Sequence, residues 1–423
     1  MQTTLLGIAN KASCDKGHRF RNLFGLLTVN FLWWCWRFVN PRAAAGVDRL
    51  TARAYGENLL ENLTELVGVV KAESYRSKCI LRRYIPKPNG KLRPLGIPAI
   101  ADKVLQVAVS KILEAIYEAD FLPCNYGYRP RRGALDAVRD LSRTLQEGNY
   151  HFVVEADIQG FFDHISHDKL MEMLEERIDD RPFLGLIRRW LKAGILEPDG
   201  RVHIPEEGSP QGGIVSPILA NVYLHRVLDV WFEETVKSHF RGGVYFCRYA
   251  DDFVAAFQCE ADAQRFYEVL GKRLGKFGLT LAMDKTRQLR FSRCDRRHSE
   301  VFEFLGFEFR WGVNRWRKPQ LKRRTSAKKY RAALARLKDW LRVNCHRPKR
   351  ELFALLAAKL RGHCQYYGIR GNYDRVRAFF YQVKRLLLQA LNRRSQRKSY
   401  NWTGFAALLG HFQLPRPRVC HDF

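Results

Sequence analysis

The chain has 423 residues, 46% of them hydrophobic, which is enough for two or three domains with ordinary cores and excludes a disordered, tail-like protein. Lys and Arg number 73 against 43 Asp and Glu, a formal net charge of +30; this exceeds what solubility needs and marks a polyanionic partner, with nucleic acid the leading candidate. Ten cysteines are scattered without a CxxC pair or a Cys/His grouping at metal-ligand spacing, which suggests neither a disulfide framework nor a zinc site and suits a reducing cytoplasm.

At the N-terminus Lys11, Lys16, Arg19 and Arg21 precede the apolar run LFGLLTVNFLWWCW. Asn30 breaks the run and Arg37 stops it, short of the roughly 20 residues a membrane span needs, so a packed helix is expected and no membrane partner. Leu59, Leu60, Leu66, Val69 and Val70 mark a second helical stretch. The segment CILRRYIPKPNGKLRPLGIP then reads as two strands joined at Pro88-Asn89-Gly90. This ribbon carries Arg82, Arg83, Lys87, Lys91 and Arg93, a set that suits a triphosphate; exposed ribbons also carry basic residues simply to blunt their edges.

Next, HFVVEAD is a short strand ending in Asp157, followed by a Gly-Phe-Phe turn and a helix. A strand end of this kind holds a metal ligand rigidly, and equally serves an aspartate that only caps the next helix. The loop from Gly208 to Gly213 opens into a helix with Ile218, Leu219, Val222, Tyr223 and Val227 on its apolar stripe. Gly212 and Gly213 permit close approach to a flat ligand such as a base pair, whereas the loop lacks the lysine and spacing of a P-loop.

The stretch CRYADDFVAAF follows, with VYFCRY and FVAAF as strands and Ala250 to Asp252 as the turn. Two like charges about 4 Å apart cost roughly 1 kcal/mol in water and about 4 kcal/mol at an effective dielectric near 20, so adjacent, partly buried carboxylates favour a bound cation. A sheet that brings strand-end Asp157 beside turn Asp251 makes a dicarboxylate site for Mg²⁺. Two such ions about 3.5 to 4 Å apart are the arrangement used in polymerases.

Beyond it FGLTLAMDKTRQLRF presents Lys285 after a strand, and VFEFLGFEFRW reads as a hairpin. SAKKYRAALARLKDWL, KRELFALLAAKLRGHCQYYG and YDRVRAFFYQVKRLLLQAL show helical apolar periodicity with Arg and Lys on the opposite faces. From Arg310 to Tyr400 there are 27 Lys and Arg against Asp339, Glu351 and Asp374, so this stretch holds 24 of the 30 excess charges. A small bundle with its basic side against a duplex backbone is expected, since merely solvated faces mix both signs.

In this order the motifs resemble the reverse transcriptase of bacterial group II introns, an intron-encoded protein that also assists splicing. YRSKCILRRYIPKPNGKLRPLGIP is similar to the fingers motif, EADIQGFFDHISH to motif A, GSPQGGIVSPILANVYLH to motif B, RYADDF to motif C, LAMDKT to motif D and FLGF to the primer grip. AAAGVDRLT and NLLENLTEL resemble the extra N-terminal block, and KLRGHCQYYGIRGNY and RRSQRKSYNW the thumb and maturase segment. The resemblance implies an α+β, right-hand polymerase fold: a helical N-terminal extension (1–72), fingers and a palm with an antiparallel sheet (73–312), and a basic helical thumb or maturase domain (313–423).

It further implies that Asp157 and Asp251, with Asp252 beside them, bind two Mg²⁺ ions, that Lys87 and Arg93 hold the incoming dNTP, that Gln211 contacts the nucleotide and that Phe162 excludes a 2′-hydroxyl. Lys285 would protonate the pyrophosphate leaving group; the charge excess of the last third, for its part, makes Lys322, Arg323, Arg324, Lys328 and Lys329 the expected RNA-binding residues. The implied partners are the intron RNA, an RNA template with a DNA or RNA primer, dNTPs and target DNA, in a bacterial cytoplasm and at the nucleoid when acting on DNA. Gln159 stands where the family usually has lysine. No HNH-like Cys/His cluster follows the thumb and only 23 residues follow Tyr400, so the endonuclease is expected to be missing and the primer to come from elsewhere, such as a replication fork. Two other roles compete: a splicing cofactor with a dead palm, against which intact Asp157, Asp251, Asp252 and Gln211 argue, and a host-adopted enzyme of phage defence or CRISPR adaptation.

Overall fold

The computed structural model describes residues 2–86, 90, 92–393 and 399–423. Helices and antiparallel-rich sheets are mixed along the chain, an α+β organisation. In chain order come α1 (Gln2–Cys14), α2 (Val29–Trp36), α3 (Ala52–Glu57), α4 (Leu59–Lys71), β1 (Ile80–Pro86), β2 (Leu92–Ile97), α5 (Ile100–Tyr117), α6 (Ala134–Glu147) and β3 (Phe152–Asp157). There follow α7 (His167–Glu175), α8 (Arg181–Leu191), β4 (Ile195–Leu196), β5 (Val202–His203), α9 (Ser216–Leu224), β6 (Val244–Tyr249), β7 (Asp252–Phe257), α10 (Glu260–Gly275) and β8 (Arg287–Arg290). The chain continues with β9 (Phe302–Phe304), β10 (Phe307–Val313), β11 (Pro319–Thr325), α11 (Ala327–Asn344), α12 (Lys349–Tyr367), α13 (Tyr373–Asn392) and α14 (Trp402–Phe412).

Two compact units divide the chain: Met1–Ala137 with Ala156–Gln288, and Val138–Glu155 with Leu289–Phe423. In the first unit, α5 is buried on nearly all sides, with Val104, Leu105, Ala108, Val109, Ile112 and Leu113 inaccessible, the mark of a helix inside a core. Each of the Val, Leu and Ile side chains among them contributes about 1.5 to 3 kcal/mol on burial. β1 and β2 pair antiparallel from Leu81↔Ile97 to Pro86↔Leu92, β1 also pairs parallel with β4, and the sheet order is β2-β1-β4-β5. The second four-stranded sheet runs β6-β7-β3-β8.

The N-terminal apolar run departs from expectation, because it forms a 3₁₀ turn (Phe24–Leu26) and then the short α2 rather than one helix. Thr28 divides them: its extended backbone and its hydroxyl, which accepts from Phe31 N at 3.3 Å, start α2 afresh. No helix among the described residues is long and apolar enough to cross a membrane.

In the second unit β9, β10 and β11 form an antiparallel sheet of order β11-β10-β9, with β9 turning into β10 through Leu305 (φ 50°) and Gly306 (φ 83°). The helices α11 to α14 share a core in which Leu341, Leu352, Leu356, Val383, Leu387, Leu391 and Phe405 are buried. Val376, Phe379, Val383, Leu387 and Leu391 supply the buried stripe of α13. His363 lies in this unit with its ring stacked on Phe379, centroids 3.7 Å apart, and burial depresses its pKa to about 4.

Candidate active site

β3 delivers Asp157 at its last residue, and the chain beyond is fastened in place. Ala282 N donates to Asp157 O at 2.9 Å, Gln159 N donates to Thr280 O at 2.9 Å, and Ile158 bridges Leu281 antiparallel. A turn then folds back, with Lys285 N and Thr286 N both donating to Ala282 O at 2.9 Å, which carries the Lys285 ammonium onto the Asp157 carboxylate. That hydrogen bond raises the Lys285 pKa above its usual value and keeps the ammonium charged. Lys285 therefore precedes a strand instead of following one: Leu281 makes only an isolated bridge, and the regular strand is β8, from Arg287.

Asp251 lies in the two-residue turn between β6 and β7, whose last pair is Tyr249↔Asp252. Asp252 is thus the first residue of β7 and not part of the turn, because it still pairs with Tyr249. Burial pushes the Asp251 carboxyl up, the Asp157 charge pushes it further, and Lys285 and Arg93 oppose both. Asp157, Lys285 and Arg93 are consequently all within electrostatic reach of Asp251, from β3, from the Ala282 turn and from β2 to the hairpin turn.

Ala250, just before Asp251, holds a left-handed φ of 57° that a residue with a Cβ adopts at a cost. The surroundings fix it. Arg248 Nη1 donates to Ala250 O at 3.1 Å while its Nε and Nη2 engage Asp229, and Asn221 Nδ2 donates to Gly127 O at 2.7 Å. Gly127 packs so closely beneath the turn that a Cβ there would sit 2.4 Å from Ala250 N. Asp229 ends a π-helical stretch (His225–Asp229) that continues α9, a local widening often found at functional sites.

The Gly-rich loop is anchored to β2. Gly96 N donates to Gln211 O at 2.6 Å, and Gly212, at φ 113°, leaves no room for a Cβ, which would lie 2.5 Å from Gly96 O. Gln211 is half-buried. Phe162 is half-buried beside the fully buried Phe161, with ring centroids 5.3 Å apart, and its carbonyl accepts from Ser209 N at 2.7 Å. Phe162, Ser209, Pro210, Pro94 and Tyr84 line a cavity of about 310 Å³. Lys87 lies outside the described residues.

In the second unit, Lys322, Arg323 and Arg324 lie on β11, whose alternation points Arg323 opposite to the other two. Arg324 pairs with the buried Glu308 at 2.5 Å, and Arg323 donates to the main-chain oxygens of Phe423 (2.5 Å) and Arg370 (3.4 Å). Lys328 and Lys329 are exposed in the first turn of α11.

Among the described residues no three or more His, Cys, Asp or Glu gather as a metal-holding group. Two carboxylates that repel each other, one of them carrying a raised pKa, nevertheless fit Mg²⁺, which takes one or two carboxylates and completes its shell with water and substrate phosphates. Sequence reasoning missed Arg248, Asp229, Asn221 and Gly127. An arginine inside the otherwise apolar strand VYFCRY is the one local signal that such a network exists.

A family described as reverse transcriptase (RNA-dependent DNA polymerase) matches residues 85–309, more than half of the chain. Protein YkfC of Escherichia coli (strain K12) is 35% identical over 273 residues, which cover 57% of this chain and 71% of YkfC. The group II intron-encoded protein LtrA of Lactococcus lactis subsp. cremoris is 40% identical over 178 residues, 42% of this chain and 29% of LtrA. Nuclear intron maturase 4, mitochondrial, of Arabidopsis thaliana is 26% identical over 132 residues, 31% of this chain and 16% of that protein. The match thus spans under a third of either intron-related protein's length.

Proposed function

The chain belongs to the reverse transcriptase (RNA-dependent DNA polymerase) family, and from that premise we propose that it is the reverse transcriptase of a group II intron, copying RNA into DNA and binding the intron RNA as a splicing maturase. The observation that carries the polymerase reading is the convergence of Asp157, Asp251, Lys285 and Arg93 in one electrostatic neighbourhood. Asp157 and Asp251, with Asp252 adjacent, would hold two Mg²⁺ ions. When bound, the metal supplies charge neutralisation at the reacting phosphate.

Arg93, with Lys87, orients the dNTP triphosphate, and Gln211 meets the nucleotide at the loop that β2 anchors. Phe162 closes the sugar pocket against a 2′-hydroxyl. Lys285, whose pKa is raised by its hydrogen bond to Asp157, carries the proton for the departing pyrophosphate. In this reading residues 1–72 form the N-terminal extension, 73–312 the fingers and palm, and 313–423 the thumb and maturase domain of a right-hand polymerase. Lys328 and Lys329, with Lys322, Arg323 and Arg324, belong to the RNA-binding surface. The partners are an RNA template with its DNA or RNA primer, the intron RNA and, during retrohoming, target DNA in the bacterial cytoplasm and nucleoid.

Likeness to LtrA and to an intron maturase supports the splicing half. The test is primer extension on an RNA template with dNTPs and Mg²⁺, paired with splicing of a group II intron at limiting protein. Asp251→Asn is expected to abolish extension while leaving RNA affinity and splicing near wild type. Extension within about tenfold of wild type, a loss of only ~1.4 kcal/mol of barrier lowering, overturns the metal assignment.

A further inference from the structure

The second unit holds a cavity of about 530 Å³ between α6 and β11, lined by Arg139, Arg143, Lys322, Arg323 and Arg370 and by no Asp or Glu among the described residues. Arg139 is engaged by Asp140 at 2.9 Å, while the other cations around the cavity have weaker competitors for an anion. Arg143 pairs with Glu147 at 3.2 Å and Arg370 with Asp422 at 3.3 Å, but these side chains are 76%, 65%, 75% and 73% exposed, so water screens both pairs and an incoming anion competes easily. Lys322 Nζ donates only to the neutral Gln320 Oε1 at 2.8 Å, and Arg323 donates to main-chain oxygens. Burial, and then the charge of Arg370, depress the Arg323 pKa, so positive charge is crowded at this floor.

The same β10–β11 hairpin ends in an ordered tip. Asn314 Oδ1 accepts from Trp316 N at 2.9 Å and from Lys318 N at 3.0 Å, and Asn314 N donates to Lys318 O at 3.0 Å. This fastening presents Trp316 65% exposed, with the Arg315 guanidinium 4.0 Å from its ring centroid. A large aromatic held in water beside cations is the stacking platform of single-strand binding, where an unpaired base covers the ring and the backbone follows the positive charge.

We propose that the β10–β11 hairpin is a binding site for a single RNA strand, with backbone phosphates in the Arg143/Arg370 cavity and an unpaired base on Trp316. The proposal rests on the reading that this protein binds RNA. A duplex does not fit this arrangement, because its bases are already stacked on each other and offer no face to an indole at the tip.

The experiment uses the full chain and a short unstructured RNA labelled with fluorescein, titrated by anisotropy across KCl concentrations. With Arg143→Gln and Arg370→Gln combined, the slope of log affinity against log salt flattens by about 1.4 and affinity at 0.1 M falls about 25-fold, since each single-strand phosphate contact contributes about 0.7 to the slope. Trp316→Leu lowers affinity about tenfold and removes the photo-crosslink from a 4-thiouridine RNA to the peptide containing that position. An unchanged slope in the double variant, a crosslink that never maps to the hairpin tip, or a loss of affinity for a blunt RNA duplex in the double variant as large as that for the single strand overturns the proposal. So does displacement of the RNA by inorganic pyrophosphate at concentrations matched in phosphate, which makes the cavity a small-anion site. Extension of a preformed, saturating primer and template by the double variant is expected at the wild-type rate. If the double variant flattens the slope relative to wild type but the wild-type protein extends nothing, the polymerase reading falls and this site stands.

Discussion

Arg248 and Asp229, both with side chains wholly shielded from water, meet in a two-pronged contact of 2.6 Å (Nε to Oδ1) and 2.5 Å (Nη2 to Oδ2) directly behind the turn that carries Asp251. Burial opposes the Asp229 charge, yet Arg248 holds the carboxyl below its usual range. The remaining arginine nitrogen donates to Ala250 O, so one side chain both neutralises a buried acid and pins the strained residue beside Asp251.

Arg248→Lys keeps a charge but cannot reach two carboxylate oxygens and a carbonyl together. We expect the variant to fold, to melt lower, and to need more Mg²⁺ for half-maximal extension. Asp229→Asn leaves Arg248 buried without its counter-charge and is expected to cost about 3 to 5 kcal/mol in chemical denaturation. A Mg²⁺ requirement identical to wild type in Arg248→Lys would show that the pair stabilises the fold without positioning Asp251.

Gly127→Ala is expected to disturb the same turn from the other side, since the added methyl meets backbone at 2.4 Å and not the movable end of a side chain. Extension should fall at least as far as in Arg248→Lys, with little change in RNA affinity. Wild-type extension rates would mean that the turn can shift without consequence.

Phe162→Ala opens the cavity that the ring borders and should let ribonucleotides compete with deoxynucleotides. The check is single-nucleotide incorporation with matched dNTP and rNTP. An unaltered preference assigns sugar discrimination to another residue, with Phe161 an unfavourable candidate because it is only 1% exposed.

His363 supplies a pH test in the second unit. Its folded pKa of about 4 lies below the ordinary 6.5, and its Nε2 is buried without a hydrogen-bond partner. The unfolded chain therefore binds the proton first, and stability is lost as pH falls from about 6.5 toward 4. His363→Phe preserves the stack on Phe379 and removes this proton, so its melting temperature should drop less than wild type between pH 7 and pH 5. Equal drops in the two proteins would place the acid sensitivity elsewhere.

Elements written in short-range code were legible in the chain. The two basic strands, the strand ending at Asp157, the hairpin around Ala250 and the three basic helices each carry their own turn residues or periodicity. Asp157 and Asp251 could be named for the same reason, as carboxylates at a strand end and a tight turn. What stayed hidden depends on contacts distant in sequence. Nothing local in the π-helical LDVWF says that Asp229 will meet an arginine 19 residues later, and nothing around Gly127 announces a hairpin packed against it. The triplet Lys322, Arg323 and Arg324 reads as one cationic patch until strand alternation divides it between two faces and Glu308 claims Arg324. The short α14 escaped notice because eleven residues with one fully buried side chain, Phe405, carry little periodic signal.

The second unit is assembled from Val138–Glu155 and Leu289–Phe423, with the intervening chain belonging to the first. On the ribosome its leading piece therefore emerges long before its complement. During that interval Leu141 and Leu145, inaccessible in the finished fold, have no native partner from Leu289 onward. Synthesis that stalls near Gln288 would release a product with a completed first unit and an amphipathic helix whose apolar face is orphaned, a natural target for chaperones and a seed for aggregation.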